Sequence, residues 1–69
     1  MNNSLKIARK SSGMTQTQLA VKADVSVGIV NSLERGTRGD TKLSTMIRIS
    51  NALGKPVEEV FSSFFAKEF

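Results

Sequence analysis

Apolar residues recur at helical spacing along most of the chain. In residues 16–35, QTQLAVKADVSVGIVNSLER, Leu19, Ala20 and Ala23 mark one apolar face, and Val30 and Leu33 mark a second. Asp24-Val25-Ser26 separates the two. The spacing predicts two short amphipathic helices, over 16–23 and 27–35, joined by a tight turn. Ala20 falls where the two would cross closely, and a larger side chain there would force them apart. Further on, Leu43, Met46, Ile47, Ser50 and Leu53 form one stripe and predict a helix over 42–53. Val57, Val60, Phe61, Phe64 and Phe65 form another stripe, at i, i+3, i+4, i+7 and i+8, and predict a last helix from Val57 onward. A first helix is expected over 4–12.

The breaks support these boundaries. Gly13, Gly36 and Gly54 each follow a helical pattern, where a left-handed residue ends a helix. Thr15, Ser26 and Thr41 offer helix starts. In Thr15-Gln16-Thr17-Gln18 the second glutamine can reach back to the Thr15 amide, completing a capping box. Lys55-Pro56 turns the chain into the last helix. No strand pattern or repeat appears. The expectation is an all-α, compact five-helix domain over residues 1–69, with 57–69 as a C-terminal helix and dimerisation tail.

Composition narrows the chemistry. A chain of 69 residues buries only about 60% of its unfolded surface, so the fold has little margin. With no cysteine and no histidine, disulfide staples and the usual zinc sites are excluded. No metal, cofactor or small-molecule ligand is expected. An enzyme is not expected either. There is no histidine, cysteine or tyrosine and no phosphate loop, and adjacent helical spacing splays Glu58 and Glu59 apart. MNNSLKIARK has no apolar core of a signal peptide, and no apolar run approaches the ~20 residues of a membrane span. The expected location is the cytoplasm, with no membrane partner.

Charge is uneven. Residues 1–55 carry nine Lys and Arg against three acids, whereas 56–69 carry Lys67 against Glu58, Glu59 and Glu68. A basic body suits a polyanion partner, and a mildly acidic, aromatic tail suits a protein partner. Two helices joined as tightly as 16–23 and 27–35 can present the second outward. That is the geometry of a helix-turn-helix, whose second helix enters the DNA major groove.

With five helices in this order, the chain resembles the lambda-repressor-like DNA-binding domain, in particular the Cro/C1-type (XRE) helix-turn-helix family. The matching residues are GMTQTQLAVKADVSVGIVNSLERG, 13–36. The stretch IRISNALGKPVEEVF, 47–61, is similar to the family's following segment. Three departures stand out. Asp24 occupies the turn position usually held by glycine with positive φ, and Asp tolerates that region better than most residues. The loop over 37–42 is about one residue longer than usual and lacks the common proline. Val27 and Gly28 replace side chains that are often polar or basic.

The resemblance implies a set of DNA contacts. Gln16, in the first turn of its helix, would meet a phosphate, where free amides and the helix dipole favour an anion. Ser26, Val27, Gly28, Asn31 and Ser32 would face the bases. Val27 can pack on thymine methyls, Gly28 permits close approach, and Asn31 can pair bidentately with adenine. No arginine is placed to read guanine from mid-helix, so DNA shape would carry more of the specificity. Thr37, Arg38 and Lys42 would contact the backbone. Arg9 and Glu34 would form a partly buried structural ion pair. All four phenylalanines lie in residues 61–69, more rings than so small a core needs. Phe64, Phe65 and Phe69 are therefore assigned to a dimer interface. The implied function is a sequence-specific transcriptional regulator, a repressor or autoregulator, binding a near-palindromic double-stranded operator as a homodimer. The alternative is an antitoxin or adaptor that uses the same fold to hold another protein.

Overall fold

The computed structural model describes residues 3–36 and 42–62. Within them the chain forms five helices: α1 (Asn3–Ser11), α2 (Gln16–Ala23), α3 (Val27–Arg35), α4 (Leu43–Leu53) and α5 (Val57–Val60). The expected fold class, all-α with short connections, is the one observed. The second and third helices have the predicted boundaries. The first begins and ends one residue earlier, and α4 begins one residue later.

Local chemistry accounts for the ends. Thr15 caps α2: its Oγ1 accepts from the Gln18 amide at 3.1 Å while Gln18 Oε1 accepts from the Thr15 amide at 2.9 Å. Ser26 caps α3 by accepting from the Ile29 amide at 3.2 Å. Asp24 ends α2 with φ 59° and ψ 47°, the left-handed conformation expected in spite of its side chain. Its amide returns to the carbonyls of Ala20 and Val21. Gly36 and Gly54 close α3 and α4 in the same conformation. Thr41, the expected start of α4, lies outside the described residues. Lys42 occupies the N-cap position there and makes no side-chain cap bond.

The core gathers one face from every helix. Leu5, Leu19, Val30, Leu33, Ile49, Val60 and Phe61 are completely or almost completely buried. Helix α2 packs on α3 and α4, α1 packs on α3 and α5, and α4 packs on α5. Ala20 is buried, as a close crossing demands. Ser4 Oγ donates to the Val60 carbonyl at 2.7 Å, fastening α5 to α1. Val60 and Phe61 cap the core; Phe64, Phe65 and Phe69 lie outside the described residues.

Helix α4 corrects one expectation. Its buried residues are Met46, Ile49, Ser50, Ala52 and Leu53, whereas Leu43 is 63% and Ile47 41% exposed. Two overlapping stripes run through this helix, one with Ile47 and one with Ile49. Ile49 and Ala52 lie on the side that packs against α2 and α5, so the helix turns that stripe inward. Leu43 and Ile47, one turn apart, are left on the outside.

Candidate functional site

The end of α1, the start of α2 and the outer half of α3 meet at a polar cluster. Arg9 and Glu34 form its centre. Arg9 Nε donates to Glu34 Oε2 at 2.6 Å and Nη2 donates to Oε1 at 3.0 Å, a two-pronged pair. Both residues are buried, at 8% and 5% exposure. The third guanidinium nitrogen, Nη1, donates to the Met14 carbonyl at 2.8 Å, tying the α1–α2 turn to the pair. The hydrogen bonds that Arg9 donates to Glu34 raise the Arg9 pKa above its ordinary value; burial opposes this and the charge of Glu34 adds to it.

The cluster continues outward. Gln16 Nε2 donates to Glu34 Oε1 at 3.0 Å, and Asn31 Nδ2 donates to Gln16 Oε1 at 3.2 Å. The carboxylate sets both amide orientations. An ionised Glu34 only accepts, so Gln16 must turn its NH2 inward and its oxygen toward Asn31, which must answer with an N–H. Gln16 and Asn31 are half-buried. The sequence reading separated these four residues into a phosphate contact, a base contact and a structural pair. The fold joins them into one chain.

Beyond Asn31 lies the exposed face of α3. Val27 is 45% exposed. Gly28 is also exposed, and a Cβ built on it would meet only Ser26 Oγ, at 3.9 Å. Ser26 is exposed at the N-cap and Ser32 is half-buried. Ile29 packs against the core. Lys42 is exposed at the start of α4. Thr37 and Arg38 lie outside the described residues. The turn between α2 and α3 is braced by Arg48, whose Nη1 donates to the Asp24 carbonyl at 3.3 Å.

A pocket of about 370 Å³ opens over the cluster. Its rim includes Lys6 and Lys10 from α1 and Arg35 from α3. Sequence reasoning counted these three only toward net charge. The signal was present in the spacing of Lys6 and Lys10, four apart and hence on one side of α1. What places Arg35 beside them is the packing of α1 on α3, which no local pattern reveals.

Among the described residues, no helix is long and apolar enough to cross a membrane. A family model described as helix-turn-helix matches residues 5–60 of the chain. Comparison with curated proteins and with solved structures finds no match.

Proposed function

The chain belongs to the helix-turn-helix family of Cro/C1 (XRE) type, whose members are DNA-binding transcription regulators, and on that premise we propose that it binds an operator as a homodimer and represses transcription. In this reading α3 lies in the major groove. Val27 meets thymine methyls, and Asn31 and Ser32 read base edges. Gln16 meets a phosphate at the start of α2, where unsatisfied amides favour an anion. Thr37, Arg38 and Lys42 contact the backbone.

One observation carries the reading. Gly28 sits inside a helix where glycine is costly, yet the fold has no need of it: space for a side chain is open. A missing side chain on an exposed, outward helix face is useful where another molecule's surface comes close. In this reading the surface around Gly28, with Ser26 at the cap and Val27 beside it, lies against the edge of a duplex groove. The homodimer rests on the sequence of the tail. A single recognition helix reads only a few base pairs, and two copies about one helical turn apart read a usable site.

The test is footprinting of the purified protein on the DNA flanking its own gene, with the salt dependence of binding measured on the protected site. A protected, two-fold-related site and a slope of log K against log salt near −5, as for about six neutralised phosphates, are expected. A flat salt response would overturn the DNA reading. For the dimer, Phe65→Asp is expected to give monomers of unchanged helix content and weak operator binding. If Phe64, Phe65 and Phe69 can each be replaced without changing mass or affinity, the tail is not the interface.

A second reading, an adaptor or antitoxin that grips another protein, is favoured by one feature. Leu43 and Ile47 present adjacent exposed apolar side chains on α4. A chain that stays monomeric and leaves DNA unprotected would select it.

A further inference from the structure

We infer that the pocket between α1 and α3 seats a phosphate of the DNA backbone, with Lys6, Lys10 and Arg35 as its ligands. The inference rests on the DNA-binding reading and extends it to α1, outside the helix-turn-helix, and to the last residue of α3. The charge of the pocket is the first argument. Four cations line it against a single carboxylate, and that carboxylate, Glu34, is already neutralised by Arg9. Lys6, Lys10 and Arg35 are exposed and form no ion pair among the described residues. Like charges gathered around one concavity repel each other, and a dense anion placed among them relieves that repulsion.

The second argument is arrangement. Lys6 and Lys10 stand on successive turns of α1, separated by about 6 Å of rise along its axis. Arg35 faces them from the last turn of α3. Cations from two helices thus approach one opening from both sides. The floor adds a neutral donor. Gln16 Nε2 uses one N–H inside the cluster, which leaves it a second N–H. Buried Arg9 commits one N–H of each guanidinium nitrogen to Glu34 or Met14, so it is held in place and contributes chiefly a fixed field.

The third argument is position. Asn31 belongs both to the pocket and to α3, the element assigned to the groove. A strand whose bases meet the outer face of α3 runs its backbone past one side of that helix. The pocket is on the side where α1 supplies charge. A phosphate held there fixes the register of α3 along the duplex and carries no sequence information of its own.

The experiment is equilibrium binding to the operator and to a random-sequence duplex across a salt series, for the full chain and for three variants. Lys6→Gln/Lys10→Gln/Arg35→Gln removes the ligands, Lys6→Arg/Lys10→Arg/Arg35→Lys keeps their charge, and Lys22→Gln removes an exposed cation of α2 away from the pocket. The glutamine triple variant is expected to reduce the salt slope by about one or more, and to lose affinity by the same factor on both duplexes. The charge-keeping variant and Lys22→Gln are expected to retain the slope, and all are expected to keep the parent melting temperature. Lys10→Gln alone provides the same comparison if the triple variant fails to fold. A parent chain with a steep slope that the glutamine variants leave unchanged overturns the pocket assignment and leaves the DNA reading standing. A parent chain with no salt-dependent binding overturns both. Loss confined to the operator makes these residues base readers and overturns the phosphate role. Inorganic phosphate that saturates the pocket at micromolar concentration without DNA, followed by NMR shifts of α1 amides, makes the ligand a free anion and also overturns it.

Discussion

Asn31 donates to Gln16 across 3.2 Å, and this one bond joins the middle of α3 to the first residue of α2. It gives Asn31 two possible functions that experiment can separate. As a base reader, Asn31 still has its Oδ1 and one N–H, the acceptor and donor that adenine requires. As a brace, it only holds Gln16 toward the backbone. For the base-reading function proposed here, Asn31→Ala is expected to cost about 1–3 kcal/mol on the operator and little on random DNA. Affinity measured on both duplexes decides. Equal losses would make Asn31 the brace.

Arg9→Ala is expected to destabilise the fold by about 3–5 kcal/mol, the cost of leaving a buried charge without its partner. The deletion strands Glu34 and also the Met14 carbonyl, which takes a bond from Nη1 at 2.8 Å. In a domain whose whole stability is about 5–10 kcal/mol, this leaves little margin. DNA affinity should fall only in proportion to the folded fraction, as measured by thermal unfolding beside binding. A variant with the parent melting temperature and poor binding would make Arg9 a DNA ligand. The pair also has a defined pH behaviour. Because the folded-state pKa of Arg9 is raised above its ordinary value, its contribution is fully present below the ordinary value and is lost only as pH rises through the higher folded value. Arginine titration therefore contributes no change in stability across the neutral range.

Where sequence patterns were readable, short-range chemistry decided the outcome. The ends of α2 and α3 depend on Thr15, Ser26, Asp24 and Gly36, each acting on amides or carbonyls within a few residues. Those are visible in one dimension. The inward face of α4 was less legible, because Ile47 and Ile49 both complete a helical stripe and only the position of α2 and α5 chooses between them. The polar cluster was the least legible. Gln16 and Glu34 are 18 residues apart and Gln16 and Asn31 are 15 apart, so their bonds exist only after α1, α2 and α3 have packed. The resemblance supplied the residues one at a time, without the connection between them.

Ser50 offers a test of the core apart from any function. Its side chain is almost fully buried on α4, and its hydroxyl finds no hydrogen-bond partner among the described residues. A buried unsatisfied hydroxyl costs about 1–3 kcal/mol, and serine is also a poorer helix former than alanine. Ser50→Ala is expected to raise stability by about 1 kcal/mol in denaturant unfolding, with DNA binding unchanged. A loss of stability would show that the hydroxyl has a partner in the native protein, such as a buried water.

Gly28 sets stability against binding. It lies in the first turn of α3, and a Cβ there would meet nothing closer than Ser26 Oγ at 3.9 Å. Alanine costs a helix about 0.8–1.0 kcal/mol less than glycine in an interior position, and somewhat less near an end. Gly28→Ala is therefore expected to stabilise the domain by about 0.5 kcal/mol. If the backbone of α3 approaches DNA closely at this point, the added methyl group occupies the approach. Operator affinity should then fall by about tenfold, or 1.4 kcal/mol. The two effects have opposite signs, so a folding defect cannot imitate the binding loss. Thermal unfolding and operator titration on the same preparation separate them. A Gly28→Ala protein that is more stable and binds equally well would remove the close approach from the reading of this surface, and Val27 and Asn31 would have to carry it.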